Sequence, residues 1–167
     1  MNEIIAGLWI GNLHSLRQLH QRAGVWTVIT LLKSEYLIRF CEKMLSEQQQ
    51  CRKIVWRLAD KSEATFLCDN LSDVLDAIDE SQRDGRPCLV HCAMGVSRSA
   101  TVCAAWLMSR QQLGMPAALN LIRQVRPEIQ PNLGFVAALH ALEKCNGNVQ
   151  QGRQRFENHK RHRMSST

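Results

Sequence analysis

The stretch Cys88-Leu89-Val90-His91-Cys92-Ala93-Met94-Gly95-Val96-Ser97-Arg98-Ser99 constrains this chain more than any other. A short apolar run ends in a thiol, five residues separate that thiol from an arginine, and a helical pattern starts there. The order places Cys92 where a strand stops and a helix begins. Backbone N–H groups at such a junction can curl inward as an anion-binding nest at a helix N-terminus. The same partial positive charge favours thiolate, the reactive form of cysteine. Gly95 permits a turn that a Cβ obstructs. Arg98 adds a planar fork matched to phosphate oxygens. A cation at a helix start is poorly placed for the helix dipole, and the placement makes sense once an anion sits beside it. A nucleophile inside a phosphate cradle implies phosphoryl transfer through a phosphocysteine intermediate.

The remaining composition narrows the class. The chain has 167 residues, enough for one domain that buries about 70% of its unfolded surface. A 45% hydrophobic and 22% charged composition reads as globular. No apolar run approaches the roughly 18 residues of a membrane span. The start Met1-Asn2-Glu3 lacks the basic and apolar regions of a secretory signal. Seven cysteines without a CxxC pair argue against a disulfide scaffold or zinc knuckle and for a reducing compartment, cytoplasmic with the nucleus also open. No His/Cys/Asp cluster has metal-ligand spacing, so neither metal nor cofactor is expected. Cys88 lies four residues before Cys92, roughly 13 Å along an extended strand, too far for a disulfide.

Hydrophobic periodicity predicts an α/β domain. Ile4 to Ile10, Val25 to Leu31, Ile54 to Leu58 and Cys88 to His91 read as extended. Helices are expected over Ser15 to Arg22, Ser34 to about Gln50, Phe66 to near Gly85, Ser99 to Leu113, Pro116 to Arg126 and Pro131 to Cys145. This makes a central, mainly parallel twisted sheet of about four to five strands flanked by helices. The domain occupies 1–150. Residues 151–167 read as a basic, flexible C-terminal tail, with five basic residues against Glu157. Such a tail suits an acidic partner. The lack of interleaved aromatics argues against nucleic acid.

Three motifs in order carry a family resemblance. His91 to Thr101 resembles the signature loop of dual-specificity phosphatases, a branch of the cysteine-based protein tyrosine phosphatases. Ile5-Ala6-Gly7-Leu8-Trp9-Ile10-Gly11-Asn12 resembles the family's opening segment. Arg126-Pro127-Glu128-Ile129-Gln130-Pro131-Asn132-Leu133-Gly134-Phe135 resembles its Arg-Pro…Pro-Asn-x-Gly-Phe segment. The resemblance implies the cysteine-phosphatase fold of a small atypical member, acting on phosphorylated proteins. It implies Cys92 as nucleophile, Arg98 as phosphate clamp and Ser99 as hydrogen-bond partner of the sulfur. Ala93, Met94, Gly95, Val96 and Ser97 complete the substrate-binding loop, and His91 holds that loop from behind.

Expulsion of an alkoxide or phenoxide needs a proton donor. The family places an aspartate on a loop after a strand, some thirty residues before the cysteine. Asp60 follows the strand ending at Leu58 and precedes Cys92 by 32 positions, so it is the expected general acid and base. Asp69 and Asp73 compete but fall in a predicted helix. Asn132 resembles the family asparagine that braces the loop, and is equally a helix N-cap. Arg126 reads as a surface cation at a helix end. A phosphoinositide phosphatase is disfavoured by the uncharged Ala93 to Val96, and an RNA 5′-triphosphatase is left open by the basic tail. A phosphate-binding pseudoenzyme would lack the thiol or the acid. A sulfurtransferase loop does not end in Ser-Arg-Ser.

Overall fold

The protein, seen in a computed structural model, is described over residues 1–19, 21–46, 51–61 and 69–164, with backbone alone for Asp69 and residues 159–164. Its frame is one five-stranded sheet. The strands are β1 (Asn2–Ile5), β2 (Leu8–Gly11), β3 (Thr27–Leu31), β4 (Arg52–Trp56) and β5 (Cys88–His91). Their spatial order is β1-β2-β5-β3-β4. β2, β5, β3 and β4 run parallel, and β1 closes one edge antiparallel to β2. β5 therefore lies between two parallel neighbours, and each of its four residues is buried. That is why it reads as an unbroken apolar run instead of an alternating one.

Alternation still divides the core. Val28 and Leu89 face a cluster with Leu16, Trp26, Ile38 and Leu45, from the side of helices α1 (Ser15–Leu19) and α2 (Glu35–Ser46). Ile29, Cys88 and Val90 face the larger cluster. That side is built by α3 (Asp69–Arg83), α4 (Arg98–Arg110), α5 (Met115–Val125) and α6 (Leu133–Glu143). α4 is the central helix, and every residue from Ser99 to Ser109 is buried. An apolar stripe would serve one face only, whereas this helix is apolar or small all round because it is covered all round.

Several boundaries differ from the periodicity. Val25 and Trp26 precede the β3 ladder. β4 begins at Arg52, whose N–H bonds Trp26 O at 2.9 Å, and it ends before Leu58. Its first residues are polar because β4 is an edge strand, which hid them from a reading based on apolar runs. α4 stops three residues early, where Gln112 takes a left-handed φ of 55°. The predicted starts at Phe66 and Leu67, and the predicted end near Gln50, lie outside the described residues, as does Cys68.

The expectation of a flexible tail from 151 is corrected. α7 (Val149–Met164) is a helix. Asn148 Oδ1 accepts the Gln151 N–H at 2.9 Å, an N-cap. Gly152 packs on Leu142 of α6, and Phe156 is buried in the main core. Val149, Gly152 and Phe156 share one helical face, a stripe too sparse among charges to register as periodic. No described helix is long and apolar enough to cross a membrane.

Candidate active site

β5 delivers Cys92 to the carboxyl edge of the sheet, where ligands bind in open α/β folds. The loop 92–97 then turns into α4. Its carbonyl groups from Ala93 to Ser97 all have partners beyond the loop. Ala93 O accepts the Leu13 N–H at 3.3 Å, Val96 O accepts the Gln130 N–H at 2.9 Å, and Ser97 O accepts the Thr101 N–H at 2.9 Å. Arg126 Nη2 donates to Met94 O at 3.0 Å and Arg126 Nε to Gly95 O at 2.7 Å. No backbone hydrogen bond among the described residues uses the N–H groups of Ala93, Met94, Val96 or Ser97. With five successive carbonyls tied outward, those amides are left for an anion.

The sulfur sits inside this ring and is almost fully buried. Gly95 N–H donates to Cys92 Sγ at 3.2 Å, and Ser99 Oγ lies 3.4 Å from it. Gly95 has φ +71°, and a Cβ there would stand 2.6 Å from Gly11 O and 2.7 Å from Arg126 Nη2. Both the turn and the close approach require glycine.

Arg98 opens α4, and its Nη1 donates to Leu58 O at 3.3 Å. Its Nε is buried without a hydrogen-bond partner among the described residues, 3.5 Å from Asp60 Oδ2. A buried guanidinium N–H left unbonded beside a ring of free amides suits a phosphate oxygen. Asp60 comes from the loop after β4. Ser97 Oγ donates to Asp60 Oδ1 at 2.7 Å and Asn132 Nδ2 donates to it at 2.8 Å. The carboxylate is thereby fixed over the loop. Ser97 occupies the N-cap position of α4 yet makes no side-chain cap bond, because its hydroxyl is engaged with Asp60. Both competitors, Asp69 and Asp73, fall within α3.

Asn132 combines the two roles left open for it. Its Oδ1 caps α6 by accepting the Phe135 N–H at 3.0 Å, and its Nδ2 holds Asp60. His91 is fully buried, with Nε2 2.8 Å from Thr30 Oγ1 on β3. Burial first, and then the Arg98 charge, hold its pKa down at about 4, against an opposing backbone hydrogen bond with Cys92. It is a neutral strut behind the loop, buried away from solvent.

Arg126 corrects the sequence reading. It is a buried brace of the loop, not a surface cation. Besides its two loop carbonyls it donates to Asn2 Oδ1 at 3.0 Å and pairs with Glu128 at 3.3 Å. The chain turns at Pro127 and passes back along the loop, a non-local path that spacing along the sequence does not reveal. The arginine of the Arg-Pro motif was the available signal. Among the other thiols, burial pushes Cys88 up to about 12 and Cys103 well up, the latter also by Cys88 and Cys92. Both are inert beside Cys92. Among the described residues no three His, Cys, Asp or Glu side chains are grouped to hold a metal ion.

The family model "Dual specificity phosphatase, catalytic domain" matches residues 12–145. Dual specificity protein phosphatase 1B of Arabidopsis thaliana is 32% identical over 149 residues, covering 86% of this chain and 82% of its own. Dual specificity protein phosphatase 22 of Homo sapiens is 30% identical over 144 residues, covering 86% of this chain and 74% of its own. The crystal structure of DUSP15 superposes with a TM-score of 0.74 at 26% identity, over 93% of this chain and 94% of that one. The chain belongs to the dual specificity phosphatase family. It is a protein tyrosine/serine/threonine phosphatase of the small atypical type.

Two outcomes follow from the geometry. His91 stays neutral in the fold at a pH where an unfolded histidine, near 6.5, takes up a proton. The unfolded state therefore binds more protons between pH 6.5 and 4, and stability falls as pH drops through that window. Urea titrations at pH 7 and pH 4.5 should show the wild type losing about 2–3 kcal/mol more than His91→Asn. An equal loss removes His91 from the account. Arg126→Met leaves Met94 O and Gly95 O without donors, at about 1–3 kcal/mol each. Its kcat/KM on an aryl phosphate should fall at least about tenfold and its Tm should drop. Wild-type values for both contradict the brace.

Proposed function

We propose that this phosphatase works through a phosphocysteine on Cys92, acting on phosphotyrosine, phosphoserine and phosphothreonine side chains of proteins. Cys92 Sγ attacks phosphorus as the ester P–O bond breaks. Arg98 and the free loop amides of Ala93, Met94, Val96 and Ser97 take the phosphoryl oxygens, whose charge they meet in fixed positions. Asp60 gives a proton to the departing oxygen. Water then attacks the phosphocysteine, Asp60 takes its proton, and phosphate leaves with the thiolate restored. Ser99 donates to that sulfur as it departs. The observation that carries this reading is convergence. A thiol from the end of β5, a guanidinium from the start of α4 and a carboxylate from the loop after β4 meet at one ring of outward-tied carbonyls.

Asp60 Oδ1 takes both hydrogen bonds, from Ser97 and Asn132, and Oδ2 faces Arg98. Two donors on Oδ1 fix the carboxylate in place and leave Oδ2 as the oxygen that exchanges the proton. The incoming phosphate displaces Arg98 from Oδ2 electrostatically and frees that oxygen to carry the transferred proton. The free thiols of the described residues fit a reducing cytoplasmic or nuclear setting. The basic residues after Gly152 fit an acidic partner.

Cys92→Ser should abolish turnover while vanadate still binds the loop, because nest and nucleophile are separate functions. More than a few per cent residual activity sinks the covalent route. Asp60→Asn should slow turnover by about 10²–10⁴-fold, the worth of a positioned acid. The deficit should shrink for an aryl phosphate whose leaving group is a weak base. Comparing kcat for two aryl phosphates of different leaving-group basicity checks this. An unchanged leaving-group dependence in the variant assigns the proton to another donor.

A further inference from the structure

Two large apolar side chains at the mouth of the site have no role in the fold. Met94 is 72% exposed and Leu133 is 83% exposed, and Leu133 is the most exposed large hydrophobic residue described. Leu133 is the first residue of α6, but Asn132 supplies the cap and Phe135 the buried contact, so folding asks nothing apolar of it. Met94 has its carbonyl fixed by Arg126 while its side chain stands in solvent. Single exposed hydrophobics are ordinary. These two differ because the same seam joins them. The segment after Pro127 runs along the loop, with Arg126 bonded at Met94 and Gly95, Gln130 N–H at Val96 O, and Asn132 N–H at Ser97 Oγ. Met94 stands at one end of that seam and Leu133 just past the other. Along the Leu133 end of the seam lies a groove lined by Gln130, Pro131, Asn132 and Leu133. Asn132 lines this groove and also donates to Asp60, so the groove and the catalytic carboxylate share one residue.

We infer that Met94 and Leu133 are the specificity-determining lips of the site and select phosphopeptides with a bulky apolar residue next to the phosphorylated one. The inference rests on the protein-phosphatase reading above and names its preferred substrate. A phosphoryl group seated in the loop fixes the peptide at one point. At about 3.3 Å per residue of extended chain, its immediate neighbours fall at the mouth. An apolar neighbour then covers methionine and leucine surface that is otherwise wet, and a polar or charged one gains nothing there. The mouth is ill suited to a multiply phosphorylated headgroup, since Ala93, Met94, Gly95 and Val96 offer it no charge.

The test uses the full chain and synthetic phosphotyrosine peptides of one sequence, with leucine or glutamine immediately before and after the phosphotyrosine. The wild type should favour the leucine peptide by roughly tenfold in kcat/KM, the scale of partly burying one such side chain. Leu133→Gln should bring the ratio below about threefold while leaving kcat/KM on a small aryl phosphate unchanged. Met94→Gln, read only as the ratio between the two peptides, should lower it as well. Both peptides cleaved equally by the wild type, or a preference that survives both substitutions, overturns the lips and leaves the protein-phosphatase reading intact. Turnover of phosphatidylinositol phosphate in phosphatidylcholine vesicles, with neither peptide cleaved, overturns both.

Discussion

Five consecutive carbonyl groups pointing away from a single sulfur are the constraint on which this site depends. A peptide ring has as many acceptors as donors, and an anion is bound only if the acceptors are occupied elsewhere. Here Ala93, Met94, Gly95, Val96 and Ser97 give their carbonyls to Leu13, Arg126, Gln130 and Thr101. The partners come from the segment after β2, the segment around Pro127, and α4 itself. The sheet order makes this possible. β5 is flanked by β2 on one side and β3 on the other, so the loop leaving it is reached from several directions at once.

The same arrangement ties the chemistry to the fold. His91 is locked to Thr30 one residue before the thiol, so the loop begins from a fixed point. Asn132 caps α6 with one end of its amide and holds the proposed general acid with the other. Ser97 gives up helix capping to reach Asp60. The Ser97 exchange places a hydroxyl at the site at the expense of a local bond that its sequence position would otherwise supply. This is the pattern expected where function overrides local consistency.

What could be read from the chain follows the range of the interaction. Cys92, Gly95, Arg98 and Ser99 lie within one strand–loop–helix junction, so their positions are local enough for spacing to express. The place of Asp60, on the loop after β4 and beside Arg98, is legible because the order strand, then loop, survives translation into sequence. Arg126 was misread, since its burial depends on the chain doubling back after Pro127 to meet residues some thirty positions earlier. α7 was missed because only Val149, Gly152 and Phe156 mark its inner face among many charges. β4 was displaced toward its apolar end because the first residues of an edge strand are polar. The α/β class and the parallel sheet came through, since buried parallel strands are nearly continuous apolar runs.

The central claim is that the ring of amides presents Cys92 as a nucleophile that becomes phosphorylated. Acid-quenching the wild type during its first turnover of an aryl phosphate, then mapping the phosphoryl group by mass spectrometry of the digested protein, tests it most directly. The account predicts a burst of leaving group that approaches the enzyme concentration and a phosphoryl group on Sγ of Cys92. A phosphoryl group on His91 or any other side chain would contradict it, as would turnover in which no phosphoenzyme forms at any quench time.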